Sequence, residues 1–318
     1  MTDRNQANVS RNRRPRTFRR GQWAEVLSPE EIQTTLDAEG KLDGLPFMPE
    51  MIKYCGQKFR VSRRADRFFL DRLFYVAKLK NTVFLEGLRC DGQAHDGCQM
   101  RCELFWKEAW LKSAAPPNEP EANPPANVKE LVSLNLPTRK GDRYTCQATE
   151  LVHASSRLPW WDPRQYMQEV MLGETSVGKL FVDLLSRAGR KILRIFKPPN
   201  RPAENLLSQP TPSESLNLRA GEWVEVKSMV EIQATLDANG KNRGLGFAPE
   251  QAEFCGKRFR VAGRVEKLIL EWSGEIRPIT NTVELEEATC HGRMCRSCPR
   301  NCYHLWREIW LRRVAGPK

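Results

Sequence analysis

The chain repeats itself without a gap. The stretch from Gly21 to Leu111 returns 200 positions later as Gly221 to Leu311, with Trp23, Ser28, Glu31, Gly40, Phe47, Pro49, Cys55, Gly56, Arg60, Val61, Thr82, Trp106 and Trp110 all recurring at that offset. Agreement over about 95 residues identifies two copies of one domain. Two copies are too few for a solenoid, so each is expected to fold as an autonomous module.

The repeat divides the 318 residues. Residues 1–19 read as a disordered basic arm, polar and without hydrophobic periodicity. Module one covers 20–114, a Pro-rich linker 115–140, a helical segment 141–197, a second linker 198–218, and module two 219–315. Within 177–197, Leu180, Phe181, Leu184, Leu185, Ile192 and Ile195 keep helical spacing, while Arg187, Arg190, Lys191 and Arg194 fill the other face. That is a basic amphipathic helix, able to pack within the protein, dock on a partner, or lie on an anionic membrane surface.

Each module predicts a short series of elements. An alternating strand at Gly21–Val26 precedes a capping signal, Ser28-Pro29-Glu30-Glu31, for a helix running to about Asp37 with Ile32 and Leu36 inward. Pro49 opens a second short helix that Gly56 can close in a left-handed conformation. Lys58–Arg64 reads as a strand with Phe59 and Val61 inside, and Thr82–Glu86 as a strand delivering the chain to Cys90. The spacing of Leu104, Phe105, Ala109 and Trp110 predicts a helix after Cys102, with the tryptophans in the core.

Between those last elements lies the chemistry. Cys90, His95, Cys98 and Cys102 align with Cys290, Cys295, Cys298 and Cys302, so each copy reads C-x4-(C/H)-x2-C-x3-C. Thiolate and imidazole are the preferred ligands of zinc, and four of them close a tetrahedral structural site with no position left for catalysis. The exchange of His95 for Cys295 keeps a zinc ligand at that position. Two zinc ions are therefore the first expectation, and an iron–sulfur cluster in each module is the alternative. Cys290-x4-Cys295-x2-Cys298 has the three-cysteine spacing of plant-type ferredoxins, and the Cys90-Asp91-Gly92 start with His95 loosely resembles CDGSH-type iron–sulfur proteins. Disulfides suit such crowded cysteines less well. Cys55 and Cys255 read as packing residues or auxiliary ligands, and Cys146 lacks a base that would make it a nucleophile.

The formal net charge of +12 implies an anionic macromolecule or an acidic partner protein. Arg60, Arg63, Arg64 and Arg67, echoed by Arg260, Arg264 and Lys267, suggest a basic strand face for phosphates, or simply a solvated one. Trp160 and Trp161 cannot easily share one core, so one of them is a candidate interface anchor or part of a helix staple. No apolar run reaches the ~18 residues of a transmembrane segment, and no apolar leader opens the chain. The expected location is cytoplasmic, with peripheral membrane contact through 177–197 as an alternative.

The run GxWxEV, GLxFxPE, CGxxFRV, NTVxLE, cysteine cluster and LFWKEAWL, with YTCQATEL and LPWWDPRQY between the modules, resembles an uncharacterised bacterial family that brings no established activity. The strand order also resembles small Src-homology-type barrels of the KOW and Tudor kind. That resemblance implies nucleic-acid or peptide binding. The expected architecture is thus α+β: two homologous small β-barrel-like modules with short helical inserts, a cysteine-cluster metal site in each, joined by a helical segment. The expected function is that of a non-enzymatic, zinc-stabilised binding or scaffold protein, or one serving a biosynthetic complex. An iron–sulfur redox accessory protein is the alternative, and an enzyme is the weakest reading.

Overall fold

The computed structural model describes residues 18–70, 73, 75–117, 136–159, 210–292 and 298–316. The basic arm up to residue 17, Trp160, Trp161, the helix expected at 177–197 with Arg187, Arg190, Lys191 and Arg194, and Cys295 lie outside the described residues.

Module one runs β1 (Trp23–Val26), α1 (Pro29–Gln33), β2 (Lys41–Leu42), β3 (Leu45–Pro46), a 3-10 turn (Pro49–Tyr54), β4 (Lys58–Arg64), β5 (Arg67–Leu70), β6 (Tyr75–Lys78), β7 (Thr82–Arg89), β8 (Glu103–Lys107), a 3-10 turn (Glu108–Trp110) and β9 (Leu111–Ser113). Between the modules lie β10 (Arg139–Lys140), β11 (Arg143–Tyr144), α2 (Gln147–Ala154) and β12 (Ser156–Arg157). Module two repeats the series as β13 (Trp223–Val226), α3 (Met229–Gln233), β14 (Lys241–Asn242), β15 (Leu245–Gly246), β16 (Arg258–Arg264), β17 (Lys267–Ile269), β18 (Ile276–Pro278), β19 (Thr282–Thr289), β20 (Tyr303–Arg307) and β21 (Leu311–Arg313).

Each module bends one antiparallel sheet into a half-barrel. The order is β8-β7-β4-β1-β9 in the first and β20-β19-β16-β13-β21 in the second. Even the irregularities recur: the pairing slips between Val61 and Arg63 and again between Val261 and Gly263. Such slips bend a strand and raise its twist, which helps a short sheet curl over its own core. Trp106 and Trp110, with Trp306 and Trp310, are fully buried inside the curl. Each indole removes roughly 4–6 kcal/mol worth of apolar surface from water. Trp110 and Trp310 also donate Nε1–H to Thr35 and Thr235 at 3.1 and 3.0 Å.

The capping reading holds at both helices. Ser28 and Glu31 cap α1 reciprocally, as Ser228 and Glu231 cap α3. The second short helix is a 3-10 turn, and Gly56 follows it at φ +76°. The helix expected after Cys102 is absent. Leu104, Phe105 and Trp106 are buried in succession, followed by buried Lys107 and Glu108, a density that a one-sided helix cannot supply. The segment is instead strand, 3-10 turn and strand. Its charged members are internal because they are paired: Lys107 bonds Asp43 and the Lys80 carbonyl. Glu108 accepts from Arg64 at 2.6 Å and from the Phe18 N–H at 2.9 Å. The cysteine segment therefore joins two strands rather than a strand and a helix.

The hairpins that interrupt each sheet reach toward the opposite module. β5–β6 lies near the cysteine segment of module two, and β17–β18 near that of module one, where the Gln99 N–H donates to the Lys267 carbonyl at 3.1 Å. Charged contacts fill in around them. Arg63 donates to the Pro299 carbonyl at 2.5 Å, and Arg89 to the Asn301 carbonyl at 3.0 Å. Arg101 pairs with the fully buried Glu284 at 2.6 Å.

Candidate metal centre

In module one, three ligand-type side chains converge. Glu50 comes from the 3-10 turn before β4, Cys90 from the end of β7 and His95 from the turn that follows, and their donor atoms lie within 4.8 Å of one another. The Cys90 Sγ stands 3.3 Å from Glu50 Oε1 and 3.3 Å from His95 Nε2. Ordinary zinc–ligand lengths in a tetrahedral site put neighbouring donors roughly 3.5 Å apart, so the observed spacing is already close to that edge. Both partners carry an orphan: Glu50 Oε2 and His95 Nδ1 are buried and meet no hydrogen-bond partner among the described residues. Orphaned polar atoms at an enclosed site are what an ion or a water satisfies.

Two local devices hold the constellation. Lys53 and Asp91 form an ion pair at 2.6 Å, tying the turn that carries Glu50 to the residue after Cys90. Gly92 sits at φ +74°, where any Cβ would collide with the Cys98 carbonyl; Gly292 repeats this at φ +70° against Cys298. Only glycine lets the cysteine segment fold back so tightly.

Behind these residues is a cavity of ≈ 40 Å³ whose walls include Cys98, Cys102 and Cys146 as well as Glu50, Cys90 and His95. The four residues singled out by spacing therefore border one space, but Cys98 and Cys102 stand outside the tight triad. Glu50 was missed by sequence reasoning, although its recurrence as Glu250 was a usable signal. Cys146 arrives from the N-terminus of α2, a contributor that spacing could not reveal.

Burial dominates the electrostatics. It drives the Cys90 thiol well above its usual range, with Glu50 adding to the effect. It raises Cys102, beside Cys302, and brings Cys146 up to about 11 and Cys302 to about 12. Burial likewise lowers His95, which favours its neutral, ligand-competent form. A cation in such a site replaces the protons that burial otherwise keeps on the sulfurs.

Module two has the same carboxylate–thiol pair, Glu250 and Cys290 at 3.1 Å, and the Gly292 N–H donates to Cys290 Sγ at 3.3 Å. Among the described residues only module one draws its donors that close together; in module two, with Cys295 outside them, exposed His291 follows Cys290 and the half-buried imidazole is that of His304 on β20. Its Nε2 is buried without a hydrogen-bond partner, and it lies within the influence of Glu250. The described cysteines form no disulfide. Cys55 is a buried core residue whose thiol is pushed by burial up to about 12, and Cys255 packs at the edge of its core.

Of the strand arginines, Arg63, Arg64 and Arg264 are engaged in ion pairs within the protein, whereas Arg60 and Arg260 stay exposed. Arg64 is buried between Asp66 and Glu108, Arg63 meets Glu103, and Arg264 meets Glu308. Arg60 and Arg260 each donate to a local carbonyl, of Gly21 and Gly221, Arg60 also lies near Glu86, and Lys267 lies 4.0 Å from Asp96. Arg67 is half-buried on β5. No helix among the described residues is long and apolar enough to cross a membrane. Comparison with protein-family models, with curated proteins and with solved structures finds no match to this chain.

Proposed function

We propose that this chain is a non-enzymatic binding or scaffold protein built from two zinc-stabilised modules and carrying an anionic macromolecule or acidic protein as its partner. The observation that carries the zinc reading is the convergence of Glu50, Cys90 and His95 on one buried point, with Cys98 and Cys102 beside it. Mixed oxygen, nitrogen and sulfur donors suit zinc, whereas iron–sulfur clusters are held by sulfur with occasional histidine. The presence of Glu50 thus favours zinc over the iron–sulfur alternative. In module two, Glu250 and Cys290 pair in the same way, and His304, Cys298 and Cys302 are further donors of that module without the same close convergence.

The binding reading rests on the net charge of +12 and on strand order. In each module the first strand pairs with the last, and a 3-10 turn precedes that last strand, an arrangement similar to Src-homology-type barrels, whose relatives bind nucleic acids and peptides. With Arg63, Arg64 and Arg264 engaged within the protein, partner contact would fall to exposed Arg60 and Arg260 and to other basic residues.

Metal analysis of the purified full-length chain tests the first half: two zinc ions per chain and no visible absorbance are expected, and brown protein with iron and labile sulfide would overturn it. Retention on immobilised duplex DNA that falls steeply with salt, against no retention on anionic vesicles, is expected for the second half.

A further inference from the structure

We infer that the two metal centres are completed across the module boundary, each by a backbone N–H of the opposite module, so that the unit which binds zinc is the docked pair. The inference rests on the zinc reading above and concerns how those sites are assembled.

The observation is a reciprocal pair of contacts. The Ile269 N–H, on β17, points at Cys98 Sγ at 3.4 Å. The Phe69 N–H, on β5, points at Cys298 Sγ, also at 3.4 Å. Donors and acceptors are related by the 200-residue offset of the repeat. The two hairpins differ in sequence, Arg67-Phe68-Phe69-Leu70 against Lys267-Leu268-Ile269-Leu270, yet both aim the same amide at the same cysteine of the other module.

β5 and β17 are edge strands of their small sheets. An edge strand carries outward N–H groups that need a partner, and here a sulfur supplies it. The next residue strengthens the attachment: Gln99 Oε1 accepts the N–H groups of Glu266 and Lys267 at 2.6 and 3.1 Å, while its own N–H meets the Lys267 carbonyl. The cysteine segment of module one is thus held along β17 by one backbone hydrogen bond and three that run to the side chains of Cys98 and Gln99. Side chains of module two, Ile269, Glu271 and Arg300, close the same cavity that holds Cys90 and His95.

A thiol is a weak acceptor, and an N–H directed at it contributes little. A zinc thiolate is anionic, and the same bond becomes charge-assisted, about twice as strong. Groups that hydrogen-bond a metal ligand orient it and adjust its donor strength, and their loss costs about 10- to 100-fold in metal affinity. Linkage makes the effect mutual: if docking tightens zinc binding by some factor, zinc tightens docking by the same factor.

The experiment uses the full chain carrying zinc. Ile269→Pro removes the amide proton in module two and replaces no ligand residue, while Ile269→Ala keeps the proton and truncates the side chain. Zinc affinity is read by competition with a chromophoric chelator, and amide exchange of residues 67–70 and 267–270 in the wild-type chain is followed by mass spectrometry before and after zinc is stripped. We expect one of two zinc ions to be held about tenfold or more less tightly in Ile269→Pro, with Ile269→Ala within about twofold of wild type. We also expect both hairpins to exchange about tenfold faster once stripped. The wild-type exchange measurement needs no substitution, so a Pro variant that fails to fold does not shield the inference. Unchanged hairpin exchange on stripping, or two zinc ions bound by Ile269→Pro with wild-type affinity, would overturn it and leave the zinc reading standing. A wild-type chain that binds no zinc would overturn both.

Discussion

In module one the backbone of Phe105 on β8 is met from outside the module: Gln147 of α2 accepts the Phe105 N–H at 2.8 Å and donates to its carbonyl at 2.9 Å and to that of Pro46 at 3.1 Å. In module two the equivalent strand is met from within. Gln251, of the module's own 3-10 turn, donates to the Leu305 carbonyl at 3.1 Å, where module one has Met51 in the same sequence position. One glutamine amide satisfies a buried strand in both cases, but it comes from different places. Duplicating a domain keeps the requirement and leaves its source free to move. The cover then changes what lies beneath. Leu45, Phe47 and Met48 are buried under α2, whereas Leu245, Phe247 and Ala248 remain partly open.

The comparison can be broken first at its common core. Trp110→Ala and Trp310→Ala each empty a fully enclosed indole site and remove the N–H that a threonine hydroxyl accepts, so each should cost about 3–5 kcal/mol by chemical denaturation. Equal losses are expected, and a much smaller loss in either module would mean the two cores are not built alike. The glutamine exchange sharpens it next. Gln147→Ala should cost about 1–3 kcal/mol and release α2, detected as faster amide exchange over 147–154. Gln251→Ala should leave α2 untouched, and joint loosening of both regions would refute independent covers.

A third test uses acid. Burial raises the Glu308 carboxyl, but the N–H groups of Leu218, Leu216 and Asn217 and the Arg264 guanidinium outweigh it and hold the group below its usual range. A carboxylate depressed on folding stabilises the folded state above its unfolded pKa, roughly 4.3, and that stability drains away as pH falls through the lower folded value. Module two should therefore lose stability in this acid window, and Glu308→Gln should flatten that limb when denaturation is followed from about pH 6 down to about pH 3. An unchanged acid limb would show that these contacts around Glu308 do not matter to it. The smallest effect is at the clamp beside the candidate metal centre. Lys53 and Asp91 in module one become Glu253 and His291 in module two, 3.7 Å apart, with the polarity reversed. Both pairs are partly exposed, so Lys53→Ala should change stability by less than about 1 kcal/mol, and a loss several times larger would place the clamp among the essential supports.

How much of this could be read from the chain depended on whether the cause was local. Ser28 with Glu31, the Gly56 turn and the strand at Lys58–Arg64 depend on neighbours in sequence, and they were legible. The stretch after Cys102 was not. Lys107 and Glu108 look solvent-facing in a linear pattern, which turns Leu104 to Trp110 into an apparent amphipathic helix; their burial depends on Asp43, Arg64 and Phe18, far away in sequence. The site shows the same division. Spacing brought out Cys90, His95, Cys98 and Cys102, while Glu50 and Cys146 join them only because the chain folds back. Arg63 and Arg64 of β4 could not be read for a related reason: alternation says which side a residue faces, but not that Glu103, Asp66 and Glu108 already wait there.

The reciprocal reach of the hairpins has a further consequence. An arrangement in which residue 69 meets 298 while 269 meets 98 is isologous: two like surfaces face one another about an approximate two-fold axis, and each uses up the other. Such pairing is closed. A third copy appended to this chain would find neither a hairpin nor a cysteine segment to receive it, because each of these surfaces already meets its counterpart.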